Sequence, residues 1–239
     1  MIRSLVRALG ELLVTLGVLL LLFVAWQLWW TDVEAGREQQ AAADRLRGTW
    51  TEPAAAEPAA DPDPPPSEPP VPSPVQEGES FALVHVPRFG PDYAVPVDEG
   101  IGLEEVLNDG VLGHYPGTAL PGAVGNFSVA GHRVTYGRPL NLIAELRPGD
   151  PIVVETADAW YVYRVREHQI VSPDRVEVVA PVPGDPQAEP SERLMTLTAC
   201  HPMYSARERY IVHAELDTWL PRDAGPPPEV AAAPERAED

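Results

Sequence analysis

The sequence predicts a mainly β domain, a closed or nearly closed barrel with few and short helices, set behind an N-terminal apolar helix and a proline-rich spacer. Three observations predict it. Short runs rich in β-branched and aromatic residues recur through 81–220, separated by Gly, Pro, Asn and Asp. A run of 20 uncharged, mostly apolar residues, Leu12 to Thr31, precedes them. Between the two lies a stretch dense in proline and acid, in a chain whose 29 prolines among 239 residues are more than twice the usual ~5 %.

As a helix, 12–31 is about 30 Å long, the hydrocarbon thickness of a bilayer. Trp26, Trp29 and Trp30 gather at its C-terminal end, where amphipathic rings favour a membrane interface. Arg3 and Arg7 precede the run, and Asp32 and Glu34 follow it. The positive-inside rule then puts 1–11 in the cytoplasm and the chain beyond Asp32 outside. The run exceeds the apolar region of a cleaved signal peptide and no A-x-A site closes it, so it reads as a single-pass anchor. Residues 32–80 read as an extracellular linker. Its first part, 32–50, is polar and able to extend the helix briefly. Its second, 51–80, holds ten prolines, seven acidic residues and no arginine, too little apolar surface to offset the entropy of ordering. At ~3.1 Å per residue in polyproline II, this spacer reaches roughly 90 Å.

The 140 residues of 81–220 are one domain's worth. Strands are expected at 81–86, 93–97, 126–130, 151–156, 160–167, 194–200 and 209–216. Short helices are expected at 103–107 and 140–146, the second closed by Arg147-Pro148-Gly149. The tail, 221–239, with Pro226-Pro227-Pro228 followed by Ala and Glu, reads as disordered. A net charge of −19 excludes a nucleic-acid partner, which would need a basic face. One cysteine excludes a disulfide framework and a multi-cysteine metal knuckle; neither metal nor cofactor is expected.

That cysteine is the focus of the chemistry. In Leu194–Cys200, strand alternation sends Met195, Leu197 and Ala199 to one face, and Thr196, Thr198 and Cys200 to the other. Pro202 stops the ladder, so the thiol sits at a strand end on the polar face. A lone thiol is more often structural, but an unpaired one outside the membrane is an oxidation liability, and its presence points to use. In the next strand Tyr210, Val212, Ala214 and Leu216 face one way, and Arg209, Ile211 and His213 the other. If the strands are neighbours, a guanidinium beside the thiol could stabilise a thiolate or an oxyanion. Arg207 competes with Arg209, and spacing does not separate them. Among six histidines, His201 alternates away from the thiol. His132 follows a strand and opens a Gly/Pro-punctuated loop, where catalytic groups tend to sit.

Four separated motifs together resemble the sortases, membrane-anchored cysteine transpeptidases of Gram-positive bacteria. They are Gly113-His114-Tyr115-Pro116-Gly117-Thr118-Ala119; Gly125-Asn126 leading to Ala130-Gly131-His132-Arg133; Thr196-Leu197-Thr198-Ala199-Cys200; and Arg209-Tyr210-Ile211-Val212. The third is similar to the family's TLxTC signature. The resemblance covers 81–220 and implies an eight-stranded barrel with Cys200 as nucleophile, His132 as general acid/base and Arg209, rather than Arg207, as stabiliser. It implies no cofactor. The partners it implies are secreted proteins with a C-terminal sorting signal, the amine of a lipid-linked peptidoglycan precursor, and the membrane.

Two departures stand out. Ala199 occupies a position where the family usually has Thr, which would remove a hydroxyl able to position the acyl group. Leu140 replaces a common Phe. His114-Tyr115-Pro116 and Cys200-His201-Pro202 are most similar to class E, with class D as rival. Class E favours LAXTG over LPXTG signals, and a tyrosine at the position of Tyr115 is implicated in reading that Ala. Ala130 matches a groove position, and Thr196 and Thr198 complete the substrate-binding set. The absence of lysine fits a high-G+C source and leaves the extracellular domain no side-chain amine for self-acylation. An L,D-transpeptidase would place His-Gly before the cysteine, and a papain-like peptidase would place Cys before His. A non-catalytic sortase-like binding module is the remaining alternative.

Overall fold

The computed structural model describes residues 2–50 and 68–231. By contact the chain forms two units, 1–38 and 39–239. In the first, helix α1 (Ile2–Trp50) begins. Its Leu12, Leu13, Val14, Leu16 and Val18 to Phe23 are each at least half exposed, and Arg7 pairs with Glu11 one turn on at 2.9 Å. The helix does not stop at Thr31. It continues through the polar segment to Trp50, as a run of Glu, Gln, Ala and Arg with strong helix propensity permits. Among the described residues no helix is long and apolar enough to cross a membrane. The side chains at 24, 25 and 27–31 of the expected anchor lie outside those described.

The second unit is a closed eight-stranded barrel: β1 (Ser80–His85), β2 (Ala94–Glu99), β3 (Leu112–His114), β4 (Gly125–Ala130), β5 (Pro151–Glu155), β6 (Ala159–Val171), β7 (Arg193–His201) and β8 (Glu208–Pro221). Its order is β1-β2-β3-β4-β7-β8-β6-β5, with β5 returning to β1. Closure leaves no sheet edge unpaired. Two neighbouring pairs, β2/β3 and β4/β7, are parallel; the others are antiparallel. Alternation assigns the faces as expected. Phe127, Val129, Met195, Leu197, Ala199, Tyr210, Val212 and Ala214 fill the barrel interior.

All seven strands expected from the residue pattern form, and the eighth that the resemblance implies is β3, which the pattern does not locate. Its three residues centre on Gly113 and carry no alternating pattern. A Cβ at Gly113 would fall 2.4 Å from the Gly100 carbonyl oxygen, so only glycine lets the strand pass. The expected helices at 103–107 and 140–146 are replaced by single 3-10 turns, Leu107–Asp109 and Ile143–Glu145. Segments this short cannot offset helix nucleation; their buried Val106, Leu107, Leu140, Ile143 and Leu146 anchor loops instead.

The linker and tail need correcting at their inner ends. The stretch 51–67 lies outside the described residues, but from 68 the chain packs on the barrel. Tyr161 donates to the Pro70 carbonyl at 2.7 Å, and the Gly78 amide to Glu99 O at 2.8 Å. The tail is folded as far as Ala231 in helix α2 (Pro228–Ala231), where Glu229 pairs with Arg164. Arg222 reaches Glu155 at 2.9 Å. Hydrogen bonds to the backbone order 68–80, and ion pairs together with Val230 packed on Val153, Trp160 and Val162 order the tail. Residues 232–239 lie outside the described set.

Candidate active site

The parallel pairing of β4 with β7 decides the geometry. Their rungs run from Gly125↔Arg193 to Ala130↔Thr198. Parallel neighbours end on the same rim, and His132 and Cys200 each lie two residues beyond the last rung. The Gly131 amide donates to Thr198 O at 3.1 Å, which carries the register one step past β4. On the other side of β7 the antiparallel ladder sets Cys200 directly opposite Arg209. Cys200 and Arg209 thus face each other near the ends of β7 and β8, and His132 opens the loop that leaves β4 at the same rim.

Cys200 is half-buried and unpaired. Arg209 stands across from it, but its Nη1 donates to the carbonyls of Ala206 (2.9 Å) and Glu208 (3.0 Å). Arg207, the competitor, lies exposed in the turn before β8. The His132 ring packs tilted against Tyr136 with centroids 4.9 Å apart, and its Nε2 lies 3.1 Å from Asn108 Oδ1. Asn108 gives its amide protons to Glu104 (3.3 Å), so it accepts from His132. The Nε2–H tautomer follows, with the lone pair on Nδ1. Burial pushes the His132 pKa below its ordinary value, favouring the neutral ring.

Arg133 was not singled out from sequence, yet it joins the two halves of the site. It is buried, and its Nη1 donates to the Cys200 carbonyl (3.2 Å) and to His201 Nδ1 (2.8 Å). Its guanidinium also lies 5.5 Å over the Tyr210 ring. Next to an already notable histidine, an arginine in an acidic chain reads as surface; only its burial marks it.

The expected substrate residues fall into two groups. Tyr115 and Ala130 pack with Val106, Leu107 and Val111 in a small apolar cluster outside the barrel, and the Tyr115 hydroxyl bonds Thr198 Oγ1 at 2.9 Å. Thr198 and Thr196 are both buried, Thr196 fully, so they support this face from below rather than line it.

Thr196 belongs to a chain of hydrogen bonds whose directions are forced. Asn126 donates to the Ala180 carbonyl (3.0 Å), so its Oδ1 accepts from Thr196 (2.8 Å). Thr196, its one proton spent, accepts from His213 Nδ1 (2.9 Å), and His213 Nε2 accepts from Gln169 (2.9 Å). The chain needs a neutral His213, and burial lowers its pKa accordingly. Through Asn126 it ties the β6–β7 connection to the sheet.

Ala199 corrects an expectation. Its side chain points into the barrel and is 3 % exposed. A hydroxyl there would face the core rather than an acyl group, so this departure takes nothing from the Cys200 face. Leu140 is fully buried against Gly131, where a Cβ would fall 2.7 Å from Leu112 and 2.9 Å from Leu140. The glycine before His132 is therefore required by packing.

A model of the sortase domain matches residues 84–217. The chain belongs to the sortase family. Sortase family members are cysteine transpeptidases, and the relatives identify the class E branch. Sortase SrtE1 of Streptomyces coelicolor is 40 % identical over 231 residues, covering 92 % of this chain. The chain spans 60 % of the length of that relative. Sortase SrtE2 of the same organism is 34 % identical over 220 residues, 88 % of this chain and 81 % of its own length. Among solved sortases, SrtA from Actinomyces oris superposes with a TM-score of 0.65 at 41 % identity, covering 69 % of this chain and 94 % of its own. Sortase E1 from Streptomyces coelicolor, solved with a tripeptide in the active site, gives 0.60 at 41 % identity over 65 % and 99 %.

Proposed function

We propose that this chain is a membrane-anchored class E sortase. It cuts a C-terminal LAXTG- or LPXTG-type signal between Thr and Gly and joins the protein to a cell-wall amine. The observation that supports the reading is the strand pairing: Cys200 faces Arg209 across the β7/β8 ladder, and β4, paired parallel to β7 up to Ala130↔Thr198, leads into His132 at the same rim. In the first step the Cys200 thiol gives its proton to neutral His132, and its sulfur attacks the Thr carbonyl carbon. Arg209 exchanges the carbonyls of Ala206 and Glu208 for the developing oxyanion. The C–N bond to Gly breaks, and His132 returns the proton to the leaving amine, giving a thioester. In the second step the precursor amine attacks the thioester. His132 takes its proton, the sulfur leaves, and a new amide replaces the old one with no outside energy source.

The band of exposed apolar side chains from Leu12 to Phe23 supports anchoring, because such a surface on a lone helix is unfavourable in water. With Arg3 and Arg7 before it, the N-terminus is cytoplasmic and the barrel lies outside. Tyr115, in the apolar cluster beside the rim, reads the Ala or Pro of the signal.

The test uses the full chain in detergent with LAXTG and LPXTG peptides and a Gly- or diaminopimelate-type amine. A Thr-linked thioacyl adduct in wild type, absent in Cys200→Ala, is expected. Equal turnover by both proteins refutes the enzyme reading. Peptide binding without an adduct leaves the binding-module alternative. Tyr115→Ala should narrow the LAXTG preference, and an unchanged ratio removes Tyr115 from specificity.

A further inference from the structure

The last twelve residues of α1 lie in the same unit as the barrel and touch it through one helical face. Gln39, Ala43, Arg47 and Trp50 are four, four and three residues apart, so they form one stripe. Ala43 is buried. Arg47 Nε donates to Glu155 at 3.1 Å, and the Arg222 guanidinium sits 4.7 Å over the Trp50 ring. Gln39 heads the stripe. Its amide nitrogen donates to two carbonyls from separate loops, Gly110 O at 2.7 Å and Gly137 O at 3.3 Å. An amide NH₂ has two protons, so it can serve both.

Each carbonyl closes a segment that holds His132. Gly110 ends the turn bearing Asn108, the partner of His132 Nε2. Gly137 follows Tyr136, whose ring packs tilted against the imidazole. The junction is tight. A Cβ at Gly137 would lie 2.7 Å from the Gln39 amide nitrogen, and one at Gly110 would lie 3.0 Å from Tyr136 O. Both glycines hold left-handed backbone, φ +67° at Gly137 and +79° at Gly110, which a side chain would oppose as well.

We infer that Gln39 is a positioning residue for His132: the end of α1 staples the 107–110 turn to the loop after β4 and so fixes the imidazole between Asn108 and Tyr136. The inference rests on His132 acting as acid and base in the proposed function. Gln39 touches no reacting atom; it acts by keeping the two loops at one separation. The same helix that precedes the spacer is thereby part of the site's scaffold.

The essential property is the donor pair, which separates positioning from simple filling of space. Gln39→Glu keeps the size but turns a carboxylate toward two carbonyls. Gln39→Lys restores a multiple donor. In the full chain, single-turnover thioacylation by Gln39→Glu should fall about ten-fold, with peptide KM within about two-fold. Gln39→Lys should keep at least about half the wild-type rate, and the exposed neighbour variant Gln40→Ala should match wild type. Amide exchange at 108–110 and 136–140 should accelerate in Gln39→Glu and stay near wild type in Gln39→Lys. The inference is overturned if Gln39→Glu matches wild type in rate or in exchange at both loops, or if Lys and Glu slow the reaction equally. A wild-type chain that forms no thioacyl adduct overturns the proposed function and this inference with it. An active wild type with an indifferent Gln39 overturns the inference alone.

Discussion

Arg133→Met removes the guanidinium that links the His132 loop to the end of β7 while keeping most of the side-chain stem. Two charge-assisted bonds are lost, to the Cys200 carbonyl and to His201 Nδ1. At about 1.5–3 kcal/mol each, the gross loss is about 3–6 kcal/mol. Part of this is recovered, because a buried cation no longer has to be desolvated. Arg133 Nε makes no hydrogen bond among the described residues, so the native pairing is incomplete to begin with. A net loss of about 2 kcal/mol follows. In a domain of this size that is a fall in Tm of about 4–8 °C, readable by near-UV circular dichroism. The kinetic effect should be larger in proportion. Cys200 would lose the contact that sets its carbonyl against the His132 loop, and a displacement near 1 Å costs up to about a hundred-fold. Single-turnover thioacylation is therefore expected to drop about 10- to 100-fold with KM within about three-fold. Arg133→Lys, which keeps charge but not the planar fork, should fall between. A Tm within 1 °C of wild type together with a rate within about two-fold would refute the linking role.

Gly131→Ala forces a methyl against Leu112 and Leu140, and overpacking of this kind costs about 1–3 kcal/mol; Leu140→Ala should therefore lower Tm less in the Gly131→Ala chain than in wild type, and strictly additive losses would contradict the clash. The Glu155 carboxyl is pushed up by burial, but His85 and Arg47 outweigh this and hold it below the usual range. Its stabilisation is thus complete above about pH 4.3 and lost as pH falls through the lowered value. Acid melting curves should be flatter in Glu155→Gln, and parallel curves would contradict this. His213 has a lowered pKa, so its contribution is complete above about pH 6.5 and lost as pH falls below it, toward the folded value. Acidification should therefore loosen residues 176–180, and protection there unchanged down to pH 5 by amide exchange would rule out the neutral relay.

The strands were legible wherever hydrophobic alternation ran for five residues or more, as in β7 and β8. β3 was not, because three residues around a glycine display no period. The loop segments at 103–107 and 140–146 carried helical spacing, but the burial of Val106 and Leu140 against the barrel won over helix formation. Cys200, His132 and Arg209 could be nominated from position and motif. Arg133 and Gln39 could not: each looks like an ordinary polar residue until its partners, 67 or more positions away, are brought beside it. Ala199 sits on the inward face that strand alternation assigns to it, so a hydroxyl there bears on core packing and not on the acyl group.

By itself, the sequence determined which face each strand turns inward, that the one thiol ends a strand on the outer face, and that an apolar helix and a proline-rich segment precede the barrel. These are properties of contiguous residues, set by backbone periodicity and side-chain chemistry. Only the tertiary structure decided that β4 runs parallel to β7 with Ala130 opposite Thr198, bringing His132 level with Cys200. It also decided that Thr196 is buried support and that the end of α1 rests on the loops around His132. Register between distant strands is chosen by the packing of the whole barrel, and no local stretch of residues contains it.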